Sequence, residues 1–299
     1  MRADARGRLI RGLLLGLGAG ALLFAGWAWT ALYPRIPADL GGVTNLDAEA
    51  RRVRIATAGA DSIDGWYLAG RDPAVVLLLH GHGRDHRRMW RYGQFLHASG
   101  YGVLAIDFRS ARAHHRAPTT LGHIELVDAQ AALDWLLGQP DLRGHAVGLL
   151  GESLGGSVAL LIAARNPGVG AVVDESGFAS GEEAIADFFT RLARLPSWPP
   201  PLVRAFARAV TGVDPGALDV RPAAAALRDR PVLFIHGDRD ARISPAQTVA
   251  LWHAAGGDDP LWIVPGAGHN EGWMRERAAY EDTVTGFFDR HLLGRDAGR

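Results

Sequence analysis

Six short runs of mostly Val, Ile, Leu and Ala, at 74–80, 102–108, 146–151, 170–175, 232–236 and 261–264, recur along the chain with helix-length stretches between most of them. A run that is apolar at nearly every position, rather than at every second one, needs cover on both faces. A parallel sheet with helices on each side provides it. Helical patterns fall at about His86–Ser99, Leu121–Leu137, Leu154–Arg165, Pro245–Ala255 and Arg275–Leu293. The alternation predicts an α/β fold with a doubly wound, mostly parallel sheet. Two earlier runs, Arg51–Thr57 and Ile63–Ala69, read as an opening pair of strands, with Asp64-Gly65 offering a turn or bulge. With 48% hydrophobic residues in 299, there is enough apolar surface for one large domain, expected over 51–293, and a solvated tail at 294–299.

The rhythm breaks between Gly177 and Leu227, a separation far beyond the usual two to six residues between elements. Phe188, Phe189, Leu192 and Leu195 lie on or near one helical face. Ser197-Trp-Pro-Pro-Pro201 then punctuates the stretch before an amphipathic run from Leu202 to Val210. The segment reads either as a short helical lid, with Trp198 among its aromatics, or as an excursion packed on the sheet flank.

Residues 12–34 carry no charge and are rich in Leu, Ala and Gly, with Trp27, Trp29 and Tyr33 near the far end. That length and those interfacial aromatics predict a transmembrane helix. Arg2, Arg6, Arg8 and Arg11 in the basic segment 1–11 would keep the N-terminus cytoplasmic, and a linker at 35–50 would lead to an extracytoplasmic domain. The alternative is a cleaved signal peptide with Gly26 and Ala28 as a small-residue cleavage site, which would leave a secreted protein.

Acidic and basic residues number 32 each, which gives no net charge for holding nucleic acid. Every base is Arg. The absence of Lys excludes Schiff-base and P-loop lysine chemistry, and the absence of Cys excludes disulfides, thiolate nucleophiles and Cys–zinc sites. His80, His82, Asp85 and His86 approach an H-x-H-x-D-H zinc pattern, but two residues rather than one separate His82 from Asp85. No metal or organic cofactor is expected.

Four loops at strand ends carry chemistry. Gly151-Glu-Ser153-Leu-Gly155 follows a strand and opens a helix, the context of a nucleophile elbow; its turn closes only with small residues at 151 and 155. The N–H of Leu154 at the helix start would face a developing oxyanion. His80-Gly81-His82-Gly83, after another strand, supplies a second donor, assigned to the N–H of His82. His236-Gly-Asp238-Arg-Asp240 places two carboxylates after a strand; Asp240 is favoured to orient a histidine, with Asp238 capping the turn and Asp174 or Glu175 a less favoured source. Gly266-Ala-Gly268-His269 frees a loop to bring an imidazole over the serine.

The order Ser153, Asp240, His269 and these motifs make residues 74–293 resemble the α/β-hydrolase superfamily, and within it the membrane-anchored serine hydrolases of ABHD type related to dipeptidyl-aminopeptidase and acylaminoacyl-peptidase enzymes. Asp107-Phe-Arg109 and Glu125-x-x-Asp128 also match, whereas Ser110 and Ala111-Arg-Ala-His-His115 replace the usual glycines. The resemblance implies catalytic roles for Ser153, Asp240 and His269 and oxyanion roles for His82 and Leu154. The implied activity is acyl transfer to water, with a carboxylic ester of a small-molecule or lipid-like acid as first substrate and a thioester or peptide behind it. The rival reading is a membrane-anchored binding protein that has lost catalysis. A dehalogenase or epoxide hydrolase would need Asp at position 153.

Overall fold

The computed structural model describes residues 2–37, 45–58, 61–111, 117–194 and 199–295. Leu195, Ser197, Trp198, most of the 111–115 stretch, part of the 35–50 linker and the end of the tail lie outside the described residues. In chain order the elements are α1 (Arg2–Leu32), β1 (Arg51–Ala56), β2 (Ser62–Leu68), β3 (Ala74–Leu79), α2 (His86–Ala98), β4 (Gly102–Ile106), α3 (His123–Gly138), β5 (Ala146–Glu152), α4 (Leu154–Arg165) and β6 (Val169–Glu175). There follow α5 (Gly181–Asp187), α6 (Pro199–Thr211), α7 (Arg221–Ala225), β7 (Val232–Gly237), α8 (Pro245–Ala254), β8 (Leu261–Val264), α9 (Gly272–Arg275) and α10 (Arg277–Leu293).

One eight-stranded sheet runs β1-β2-β4-β3-β5-β6-β7-β8. β1 and β2 are antiparallel, as are β2 and β4, and every later pair is parallel. Alternate side chains feed two cores. On β3, Val75, Leu77 and Leu79 join the face covered by α3, α4 and α8, whereas Ala74, Val76 and Leu78 join the face covered by α2 and α10. The chain winds from β3 outward to β4, then returns past β3 to β5, so the order reverses between β3 and β5. A crevice outside the carboxyl ends of the strands opens at such a point. The His80 and Ser153 loops leave β3 and β5 there.

Two expectations change. Asp64 and Gly65 sit inside β2, paired with Arg54 and Val53; the chain turns earlier, where the Thr57 N–H donates to the Asp61 carbonyl at 3.0 Å. Gly65 answers to crowding, because a Cβ there would press on Leu104, Val53 and Ile55. The transmembrane helix is not supported: among the described residues no helix is long and apolar enough to cross a membrane. The segment is helical, as Leu and Ala favour. Its last turns pack on the domain, with Ala28 and Leu32 buried. The Leu32 carbonyl accepts from the Thr119 N–H at 2.8 Å, and the Ala31 carbonyl lies 2.9 Å from His82 Nε2.

The 177–227 segment forms α5, a π-helical turn at Phe188–Leu192 that continues it, α6 and α7. Single π turns of this kind recur at functional sites. Phe188 and Phe189 of this turn meet Trp27 of α1 at ring separations of 5.9 and 5.1 Å, and Phe206 of α6 meets Phe24 at 6.5 Å.

Candidate active site

Ser153 occupies a sharp turn between β5 and α4 with φ +53° and ψ −117°, a conformation a non-glycine residue holds only under constraint. The constraint is steric and local. A Cβ on Gly151 would overlap the Gly155 backbone, and one on Gly155 would overlap the Leu79 carbonyl, so strand and helix approach this closely only with glycine at both positions. The turn is held by the Ser153 N–H donating to the Glu175 carbonyl at 2.7 Å.

His269, on the loop after β8, places Nε2 3.0 Å from Ser153 Oγ and Nδ1 2.6 Å from Asp240 Oδ2. Asp240 Oδ1 accepts from the N–H groups of Arg242 and Ile243, so this carboxylate both caps its own turn and orients the imidazole. Asp238, expected to cap, instead accepts from the Gly266 N–H at 2.6 Å and ties the β7 and β8 loops together. Burial disfavours the Asp240 charge, but hydrogen bonds from His236 and His269 outweigh it and hold the carboxyl well below the usual range. Asp174 and Glu175 are engaged elsewhere. Glu175 accepts from the Tyr280 hydroxyl at 2.7 Å, from Tyr92 and from the Gly272 N–H. Asp174 accepts from the Gly177 N–H at 3.0 Å.

His82 and Leu154 line the same cavity as Ser153 and His269. Among the described residues neither backbone N–H has an acceptor. Two free donors beside a serine hydroxyl can receive negative charge forming on a carbonyl oxygen. The histidines of the zinc-like pattern diverge. His80 is buried, taking a hydrogen bond from the Phe108 N–H at 3.0 Å with its other nitrogen on the Gly81 carbonyl at 2.8 Å. His86 stacks on Trp66 and sits between Asp107 and Asp47. Among the described residues no group of three or more such side chains gathers as a metal ligand set.

Arg109 and Asp128 pair through three hydrogen bonds of 2.6–2.8 Å. Glu125 accepts from both Thr119 and Thr120 side chains and from the Thr120 and Gly122 N–H groups. This carboxylate shapes the loop that receives the end of α1.

Three contributions escape sequence reading. His236 reaches Asp240 Oδ2 at 3.1 Å and so gives the acid a second imidazole; its position four residues before Asp240 was the available signal. Arg91, wholly buried, donates to Glu152 next to Ser153 and to the Asn270 carbonyl next to His269, 179 residues away. Breaking a buried pair of this kind costs about 3–5 kcal/mol. Trp27, Ala28, Ala31 and Leu32 of α1 line the cavity itself.

Residues 76–283 match the profile of a family described as the alpha/beta hydrolase family. YqkD, an uncharacterized protein of Bacillus subtilis, is 29% identical over 240 residues, covering 79% of this chain and 78% of its own. Protein bem46 of Schizosaccharomyces pombe is 23% identical over 217 residues, covering 71% and 67%. Among solved structures, the Pyrococcus furiosus esterase Pf2001 superposes with a TM-score of 0.70 at 22% identity, over 86% of this chain and 98% of that one. The acylaminoacyl peptidase of Pyrococcus horikoshii superposes with a TM-score of 0.64 at 18% identity, over 84% of this chain and 42% of that one. With the profile spanning well over half of its length, this chain belongs to the α/β-hydrolase family.

Proposed function

We propose that the protein is a serine hydrolase that cleaves carboxylic esters through an acyl-enzyme on Ser153. The observation that carries this reading is the relay from Asp240 through His269 to Ser153 Oγ, with contacts of 2.6 and 3.0 Å, facing the free N–H groups of His82 and Leu154. His269 takes the serine proton as Oγ adds to the acyl carbon, and the two N–H groups hold the oxyanion. His269 then protonates the departing alcohol. Water, activated by the same imidazole, releases the acid. Asp240 keeps its charge throughout, its low pKa matching the task of fixing the imidazole tautomer. The apolar wall of Trp27, Phe188, Phe189 and Phe206 suits an acyl chain, and the cavity, about 690 Å³, holds a medium-length one.

The test is mass spectrometry after reaction with a fluorophosphonate. One adduct on Ser153, lost in Ser153→Ala together with about a 10⁶-fold loss of ester turnover, is the expected result. Folded protein that takes no label and hydrolyses no ester would return the chain to the binding-protein reading.

We also infer attachment to a membrane interface through α1. Leu15, Leu22, Leu23 and Trp29 are exposed along this helix, a face suited to the apolar side of an interface.

A further inference from the structure

The cavity beside Ser153 is lined by two kinds of side chain. One is apolar, from α1 and from Phe188, Phe189, Leu192, Val203 and Phe206. The other is cationic: Arg84, Arg88, Arg239 and Arg242 all line it. Several arginines elsewhere in the structure are matched, as in Arg87 with Asp85, Arg91 with Glu152, Arg109 with Asp128 and Arg204 with Asp214. Among the described residues none of the four cavity arginines has a carboxylate within ion-pair distance. Arg84 and Arg88 are only half exposed, and Arg88 Nε is buried with no acceptor. The carboxylates on the lining are Glu152, which accepts from Arg91 and acts on Arg88 and Arg84 only from beyond ion-pair distance, and Glu271, which is exposed and accepts from the Gly268 N–H. Burial, and then the neighbouring Arg91 charge, lower the pKa of Arg88 more than the Glu152 charge raises it, as for a guanidinium partly stripped of water with no carboxylate in contact. A half-buried unpaired charge is costly, and a bound anion relieves the cost.

We propose, building on the serine-hydrolase reading, that the substrate is an acyl ester or thioester whose leaving group carries phosphate, its chain lying against α1, Phe188, Phe189 and Phe206 and its phosphate against the cavity arginines. The Ser153 Oγ–acyl bond forms as the acyl–oxygen or acyl–sulfur bond breaks. The phosphate-bearing alcohol or thiol departs with the proton from His269, and water supplies the hydroxyl of the released acid. Arginine suits the site because its planar fork pairs with two phosphate oxygens at once.

Two matched pairs, assayed with the purified full chain, test this: 1-octanoylglycerol against its 3-phosphate, and the octanoyl thioester of N-acetylcysteamine against octanoyl-coenzyme A. The expected result is a preference of about 10- to 100-fold in kcat/KM for the phosphate-bearing member of at least one pair, shrinking as salt rises. The pair that shows it separates a glycerophosphate headgroup from a nucleotide carrier. Arg88→Met and, at an exposed position that folding tolerates, Arg242→Met should each reduce that ratio, with Arg→Lys restoring part of it. Hydrolysis without phosphate preference in either pair, or a preference that survives both substitutions, overturns the proposal and leaves the serine-hydrolase reading standing. No hydrolysis of any substrate together with no label on Ser153 removes both.

Discussion

Two buried aspartates at neighbouring strand ends have opposite electrostatics. Asp240 sits under two histidines and stays ionised. Asp174 is fully buried, and burial raises its pKa to about 7; nearby His236 and the Gly177 N–H only partly oppose this. Its Oδ2 has no partner. The unfolded value is about 3.9, so the folded state binds the extra proton between roughly pH 4 and 7. The stability that Asp174 contributes is therefore fully present below about pH 4 and is lost as pH rises to about 7. Three units of difference set an upper bound of about 4 kcal/mol. Asp174→Asn keeps an acceptor for the Gly177 N–H and removes the ionisation, so the variant should gain on wild type at pH 8 relative to pH 5. Urea unfolding at the two pH values checks this; parallel profiles would rule out the assignment. None of this was legible in the residues. Asp174 and Asp240 both read as acids at strand ends, and only their surroundings in the folded sheet set them apart.

At the scale of elements, α1 is the surprise. Its composition pointed to lipid, and its last turns are instead part of the catalytic domain, through Ala28, Leu32 and the Phe24 and Trp27 rings. Periodicity along one helix records that a face is apolar and says nothing about what covers it. The 177–227 region shows the same limit: its helices were legible, and that residues such as Phe188 and Phe206 line the cavity beside Ser153 was not. Asp187 accepts from the Ser244 N–H, and Arg191 donates to the Asp240 carbonyl, so the 181–192 helix is tied to the loop that carries the acid. Replacing Ala28 with Asp buries a carboxylate where no partner awaits, at a cost of several kcal/mol. Ala28→Asp should therefore release the helix while the sheet stays folded. Trypsin cleavage at Arg35 is expected to rise at least about tenfold with the far-ultraviolet circular dichroism of the domain retained. Unchanged cleavage would mean that α1 is not held by this contact.

For the whole molecule, α1 exposes Leu15, Leu22 and Leu23, and Leu192 of the cavity lining and Leu202 of α6 are exposed as well. The expressed chain should sediment with membranes, and Leu22→Glu with Leu23→Glu should shift most of it to the supernatant; wild type recovered wholly in the supernatant would exclude the attachment. The sequence by itself determined the strands, the winding of the sheet and the four loops that carry Ser153, Asp240, His269 and His82, because a doubly covered strand must be apolar throughout and an elbow must have glycine at 151 and 155. Those are local demands, met by neighbours within a few residues. Only the tertiary structure decided that Arg91 joins Glu152 to Asn270, that His236 shares Asp240, that α1 walls the cavity and that four arginines face it unpaired. Each depends on which of many similar side chains meet across long stretches of chain, and that is settled by packing the whole domain at once.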